Sequence, residues 1–243
     1  MCWDYQSSVN GFLFAWTMSI AAQFIPYTTD ARAATNKWLA TLLMVVTLVQ
    51  FGESCLWFNF THDNSPMLTN WYTRLTGVLL WMQPLANVAC LMLFSNVANF
   101  SLIQCYCLCI TAISLYQIWK ATLSPSAKNW TTFKGSNCHL VWTTVNHSQD
   151  NNRREKDNEF VSLFTTFSSK AYLIGVCFPL LYLPQLRILT FLAVGGTYKL
   201  ASTTSTRGEV SSHWCYIIAA ATVVPFIAYL AETYTNVPEW LFY

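Results

Sequence analysis

The chain has 243 residues, 54% of them hydrophobic, 16% aromatic and only 10% charged, with a formal net charge of +2. Soluble domains carry about 25% charged residues, so the composition argues against an ordinary water-soluble domain. The small net charge gives no reason to expect a nucleic-acid partner.

Taken in chain order, Met1–Asn10 contains Asp4, has no basic stretch, and is followed by no small-residue cleavage site. The first apolar segment therefore reads as a retained span, not as a cleaved leader. Trp38–Phe58, Tyr72–Phe94 and Ser101–Lys120 are nearly free of charge, and each has about the 20 residues that a helix needs to cross a hydrocarbon core. Inside lipid, backbone groups must be satisfied within the segment, so such runs are predicted to be helices.

The expected spans are Asn10–Tyr27, Lys37–Phe58, Tyr72–Phe94, Ser101–Ala121, Ser168–Leu183, Gln185–Ser202 and His213–Thr233. The fold class is then an all-α, polytopic transmembrane helix bundle of about seven spans. Ala171–Leu200 is too long for one ordinary span and is broken by Pro179, Pro184 and Arg187. It reads as two short helices joined near Pro184–Arg187, or as one long kinked helix. Trp38, Trp57, Trp71, Tyr72, Trp214, Trp240 and Tyr243 lie near the ends of apolar runs, where an interfacial belt places its rings.

One long polar loop, residues 122–167, separates spans four and five within this single transmembrane domain, 1–243. Trp130–Phe133 and Cys138–Trp142 flank a Gly-containing turn and suggest a short extramembrane hairpin. Ser148–Glu159 is dense in charged and amide residues and reads as a solvated, mobile tip. No internal repeat is visible, so symmetry gives no support to an inverted-repeat transporter.

Glu53 is the only acid well inside an apolar run. A carboxyl at that depth is costly and faces a bundle interior, a partner or water. Gln83 and Asn87 lie four apart on one helix face, with Pro84 freeing a carbonyl a turn earlier. These three are expected to form a polar intramembrane site, with Gln104 or Gln117 as additions; interhelical glue is the alternative for all of them, Glu53 included. Cys2, Cys138, His139, His213 and Cys215 fall at one water boundary of the seven-span arrangement. They read as a disulfide between two of the three cysteines, as unpaired thiols, or as a weak metal set without CxxC or HxxxH spacing. Cys105, Cys107 and Cys109 alternate along one span and read as packing residues.

Sequons at Asn59, Asn129 and Asn146 lie on the side of the long loop and tip it towards the lumen or the extracellular space, although most basic residues lie there too. Retinal is not expected as a cofactor, because His213–Thr233 contains no lysine while Lys170 and Lys199 sit near span ends.

Met1-Cys2-Trp3 with Ser8 and Gly11, Glu53 with Leu56-Trp57, Gln83-Pro84-Leu85-Ala86-Asn87, Gly135 with His139-Leu140 and Trp142, and Ser212 with Trp214-Cys215 occur in that order. In this the chain resembles a little-characterised family of polytopic membrane proteins found mainly in large DNA viruses and protists. The family's Cys-x-Asn in the second loop is absent, with Asp63-Asn64 standing nearby. The resemblance implies one coherent membrane domain and is compatible with a viral source, without a reaction.

Three functions are open on these residues. The first is a small transporter or channel built around Glu53, Gln83 and Asn87, with Pro84, Pro179 and Pro225 supplying broken-helix geometry. The second is an intramembrane, metal-dependent lipid hydrolase using His139, His213 and Glu53. The third is a non-catalytic receptor or viral envelope component that meets a protein partner through loop 122–167; a homo-oligomer is compatible with each of the three. In each case the lipid bilayer is the expected surrounding.

Overall fold

The computed structural model describes residues 4–27, 29–95, 101–135, 140–144, 166–204, 214–215 and 217–218. Most of the span His213–Thr233, together with Cys2, Cys138, His139, His213 and Asn146, lies outside the described residues.

Helix α1, Tyr5–Gln23, starts earlier than its apolar run because Asp4 caps it, accepting from the Ser7 amide at 2.8 Å. That bond holds the Asp4 carboxyl below its ordinary pKa. Helix α2, Asp30–His62, runs back along α1. Trp16 Nε1 donates to the Met44 carbonyl at 3.0 Å and Asn36 donates to the Ala22 carbonyl, while Ala15 and Ala22 are buried completely. Small residues on α1 thus let the two helices approach closely.

Asn59 makes the turn into α3, Pro66–Phe94. Its Oδ1 accepts from the Ser65 amide at 3.1 Å, and its Nδ2 reaches the Ser65 carbonyl and Thr69 Oγ1 at 3.1 and 2.8 Å. Asn64 takes φ 45° at the corner, a left-handed geometry that asparagine tolerates. Ser65 then caps α3, whose first residue is a proline.

Helix α4, Ser101–Leu123, follows. Only 22% of its most apolar window is buried, against 61% for α2, so Leu102, Leu108 and Leu115 point outward. A soluble monomer rarely leaves so continuous an apolar face open. Among the described residues, α2, α3 and α4 are long and apolar enough to cross a membrane.

Beyond α4, a 3-10 turn at Pro125–Asn129 leads into an antiparallel pair, β1 (Trp130–Lys134) and β2 (Leu140–Thr144), in register from Trp130↔Thr144 to Lys134↔Leu140. The hairpin is not a free loop. Trp130, Thr132, Leu140 and Trp142 are buried, and the Thr132 and Thr73 hydroxyls meet at 2.7 Å. Asn70 Nδ2 reaches the carbonyls of Ala127, Lys128 and Trp130 at 2.8, 3.2 and 2.7 Å. Arg74 donates to the carbonyls of Ala121 and Thr122, which closes the C-terminal end of α4. Asn70→Ala is expected to cost about 1 kcal/mol by removing the bonds to these part-buried and exposed acceptors. Hydrogen-exchange protection should fall in 130–134 and hold in α2.

Helix α5, Thr166–Cys177, continues as a 3-10 turn, Phe178–Tyr182. The chain then reverses and enters α6, Arg187–Thr204. Leu186 takes φ 58° at the reversal, and the Gln185 amide donates to Thr35 Oγ1 at 3.0 Å, which ties the corner to the start of α2. Two helices therefore occupy the proline-interrupted stretch. Trp38, Trp57 and Trp214 are not belt residues: all three are buried in the core, whereas Trp71 is 58% exposed.

Candidate functional site

Helices α2 and α3 touch backbone to side chain at Gly52, where a Cβ would stand 2.6 Å from Thr76 Oγ1. This contact presses the next residue, Glu53, into the bundle, where it is completely buried. Gln50, one turn earlier on the same face and equally buried, donates to Glu53 Oε2 at 3.2 Å. Gln50 Oε1 is itself a buried acceptor with no partner among the described residues. Over the outer end of this stretch, Lys134 of the hairpin holds its ammonium 5.3 Å from the Trp57 ring, a cation–π distance.

Gln83 sits two turns deeper. Its Nε2 points at the Val46 carbonyl at 3.4 Å, and its Oε1 accepts the Tyr172 hydroxyl proton from α5. Val46 and Glu53 are seven residues apart on α2, about 10 Å along the axis. Tyr172 stands edge-on to Trp81 at 5.7 Å and to Trp214 at 6.0 Å, and the Trp214 indole donates to Thr197 Oγ1 at 3.1 Å. The thiol of Cys215 lies within interaction range of both Gln83 and Glu53.

Asn87 lies one turn further on. Its Oδ1 accepts from Trp38 Nε1 and its Nδ2 donates to the Val176 carbonyl, each at 2.6 Å. Glu53, Gln83 and Asn87 are therefore all buried in the interior, and they follow one another along it as a row. The row extends about 22 Å from Glu53 to the level of Trp38, at 1.5 Å per residue of α2. Of the suggested additions, Gln117 is buried on α4 and Gln104 faces outward. The members that composition and spacing left unnoticed are Gln50, Trp38 and Tyr172. Gln50 was legible as the position three before Glu53; the other two belong to distant segments.

The cysteine and histidine group takes a different form. Cys215 is a free thiol and fully buried beside Gln83, not at a water boundary, because the neighbouring Trp214 packs inward on Tyr172 and Tyr198. The other four members, including both candidate disulfide partners of Cys215, lie outside the described residues. No group of three His, Cys, Asp or Glu close enough for a metal occurs among the described residues. Of the sequons, Asn129 is exposed just before β1. Asn59 is not a glycan acceptor in this fold, since it is buried and its amide nitrogen makes two hydrogen bonds in the α2–α3 turn. Of the alternating cysteines, Cys107 is buried while Cys105 and Cys109 face outward.

Compared with known proteins, the chain matches no family model, no curated protein and no solved structure.

Proposed function

We propose that the chain is an integral membrane protein of about seven spans that moves protons across the bilayer, with Glu53 as the group that changes state. The observation that carries this is a carboxyl with no solvent exposure on an apolar helix, bonded to Gln50 at the head of a row of buried polar side chains. An ionisable group held at such depth is expensive, and function is the usual reason for retaining it. Gln83 and Asn87 are engaged in bonds between α2, α3 and α5. Their part is to hold the helices in place around the carboxyl. On this reading loop 122–167 faces the lumen or the extracellular space, and its hairpin caps the end of the bundle nearest Glu53. The likeness to the viral and protist membrane family stays part of the proposal and adds no reaction.

Proteoliposomes holding the full chain and a pH-sensitive dye test this directly. The wild-type chain is expected to speed proton entry, and Glu53→Gln, which keeps the size and one acceptor oxygen, to lower that flux at least tenfold with the fold intact. Wild-type vesicles as tight as empty ones, or undiminished flux in the variant, would overturn it.

A further inference from the structure

A cavity of about 310 Å³ lies between α2, the Phe178–Tyr182 turn and α6, and its lining includes Val46 and Val176, whose carbonyls meet Gln83 and Asn87. Leu43 and Val46 form one wall, Leu180 the floor, and Leu189 and Val194 the opposite wall. Thr197 lines it as well, but its hydroxyl already accepts from Trp214 and donates to the Val194 carbonyl. A polar ligand would find almost nothing to bond there, so the space suits hydrocarbon. The space has room for at least about ten water-sized groups such as methylenes, which is enough for one acyl chain.

The corner at Leu186, itself in the cavity wall, brings a charge to one end of this space. Arg187, the first residue of α6, is exposed there and has no ion-pair partner among the described residues. The bond between Gln185 and Thr35 places the start of α2 alongside. Arg32 lies one turn before Thr35, on the face that continues to Leu39 in the cavity wall. At this end of the bundle the described charges are Arg32, Lys37 and Arg187 against Asp30 alone. An apolar slot with a cationic end is complementary to a lipid with an acyl chain and an anionic head.

We propose that this cavity holds one acyl chain of an anionic glycerophospholipid, whose phosphate is bound by Arg187 with Arg32 beside it. The inference rests on the membrane reading above but not on Glu53. Bound in this way, the lipid ties α6 and the 183–186 corner to α2, and in the proposed orientation it comes from the cytoplasmic leaflet, where anionic lipids concentrate.

The test uses the full chain, delipidated in mild detergent and titrated with phosphatidylglycerol, phosphatidylcholine or inorganic phosphate under native mass spectrometry. One phosphatidylglycerol per chain is expected, held at least tenfold more tightly than phosphatidylcholine, with no binding of phosphate alone. Arg187→Gln should abolish that preference, and Val194→Trp, which fills the slot, should remove both lipids. Arg187 is exposed, so its replacement leaves the core untouched even if the tryptophan variant does not fold. A phosphatidylglycerol carrying a diazirine at the chain terminus should label α2 and α6. No one-to-one adduct, a preference unchanged by Arg187→Gln, or label confined to the outer face of α4 would overturn the site. A chain stripped from membranes by alkaline carbonate would instead sink the membrane reading; a retained chain without the adduct sinks the lipid site alone.

Discussion

Replacing Asn87 by leucine is expected to destabilise the bundle by about 2–4 kcal/mol, although the side chains are similar in size. The variant strands two buried groups, the Trp38 indole N–H and the Val176 carbonyl, and each unmet group costs about 1–3 kcal/mol. Interhelical bonds in membranes average about 0.6 kcal/mol when both partners can find substitutes. Here neither can: Trp38 is completely buried, and Val176 sits in the last turn of α5, where carbonyls lack an onward helical partner. Asn87 is in effect a side-chain cap for α5 donated by α3. Unfolding in mixed micelles reads the loss. Asn87→Asp should fall between wild type and leucine at low pH, where a protonated carboxyl can still donate to Val176. A loss under about 1 kcal/mol for leucine would mean that the stranded groups pair again, as the membrane average allows.

What could be read in the sequence follows from how local each feature is. The long apolar runs give α2, α3 and α4 because a helix is the structure that satisfies its own backbone. Gln83 and Asn87 were legible as a pair because four residues make one turn. Their partners were not, since Trp38 is 49 residues away and Val176 is 89. Counting letters also misplaced side chains that do local work. Asn59 reads as a sugar acceptor but closes the α2–α3 turn, and Cys215 reads as a boundary thiol but packs beside Gln83. Trp38 stands where a belt residue would stand, yet its indole N–H is needed inside by Asn87. The cavity left no mark in the sequence, because ordinary leucines and valines line it.

Gly175→Ala is expected to be as damaging as the loss of Asn87, although it adds a single methyl group. A Cβ at this position would stand 2.6 Å from Pro84 Cβ and 3.1 Å from Ile110 Cγ2. The proline ring cannot turn aside, so α5 must retreat from α3 and α4. Overpacking of this kind costs about 1–3 kcal/mol. The retreat has a second cost, because Tyr172 and Val176, which bond to Gln83 and Asn87, flank Gly175 on the same helix. A shift of about 1 Å carries the 2.6 Å Asn87–Val176 bond out of hydrogen-bonding range. The two lesions should therefore overlap. In unfolding experiments the double variant Gly175→Ala with Asn87→Leu is expected to lose about 1–2 kcal/mol less than the sum of the single losses. Strict additivity would mean that the glycine only makes room and that Asn87 holds α5 independently of it. A shared loss would mean that close approach at Pro84 is what brings α5 within reach of the polar row, so that one small residue sets the distance on which both hydrogen bonds depend.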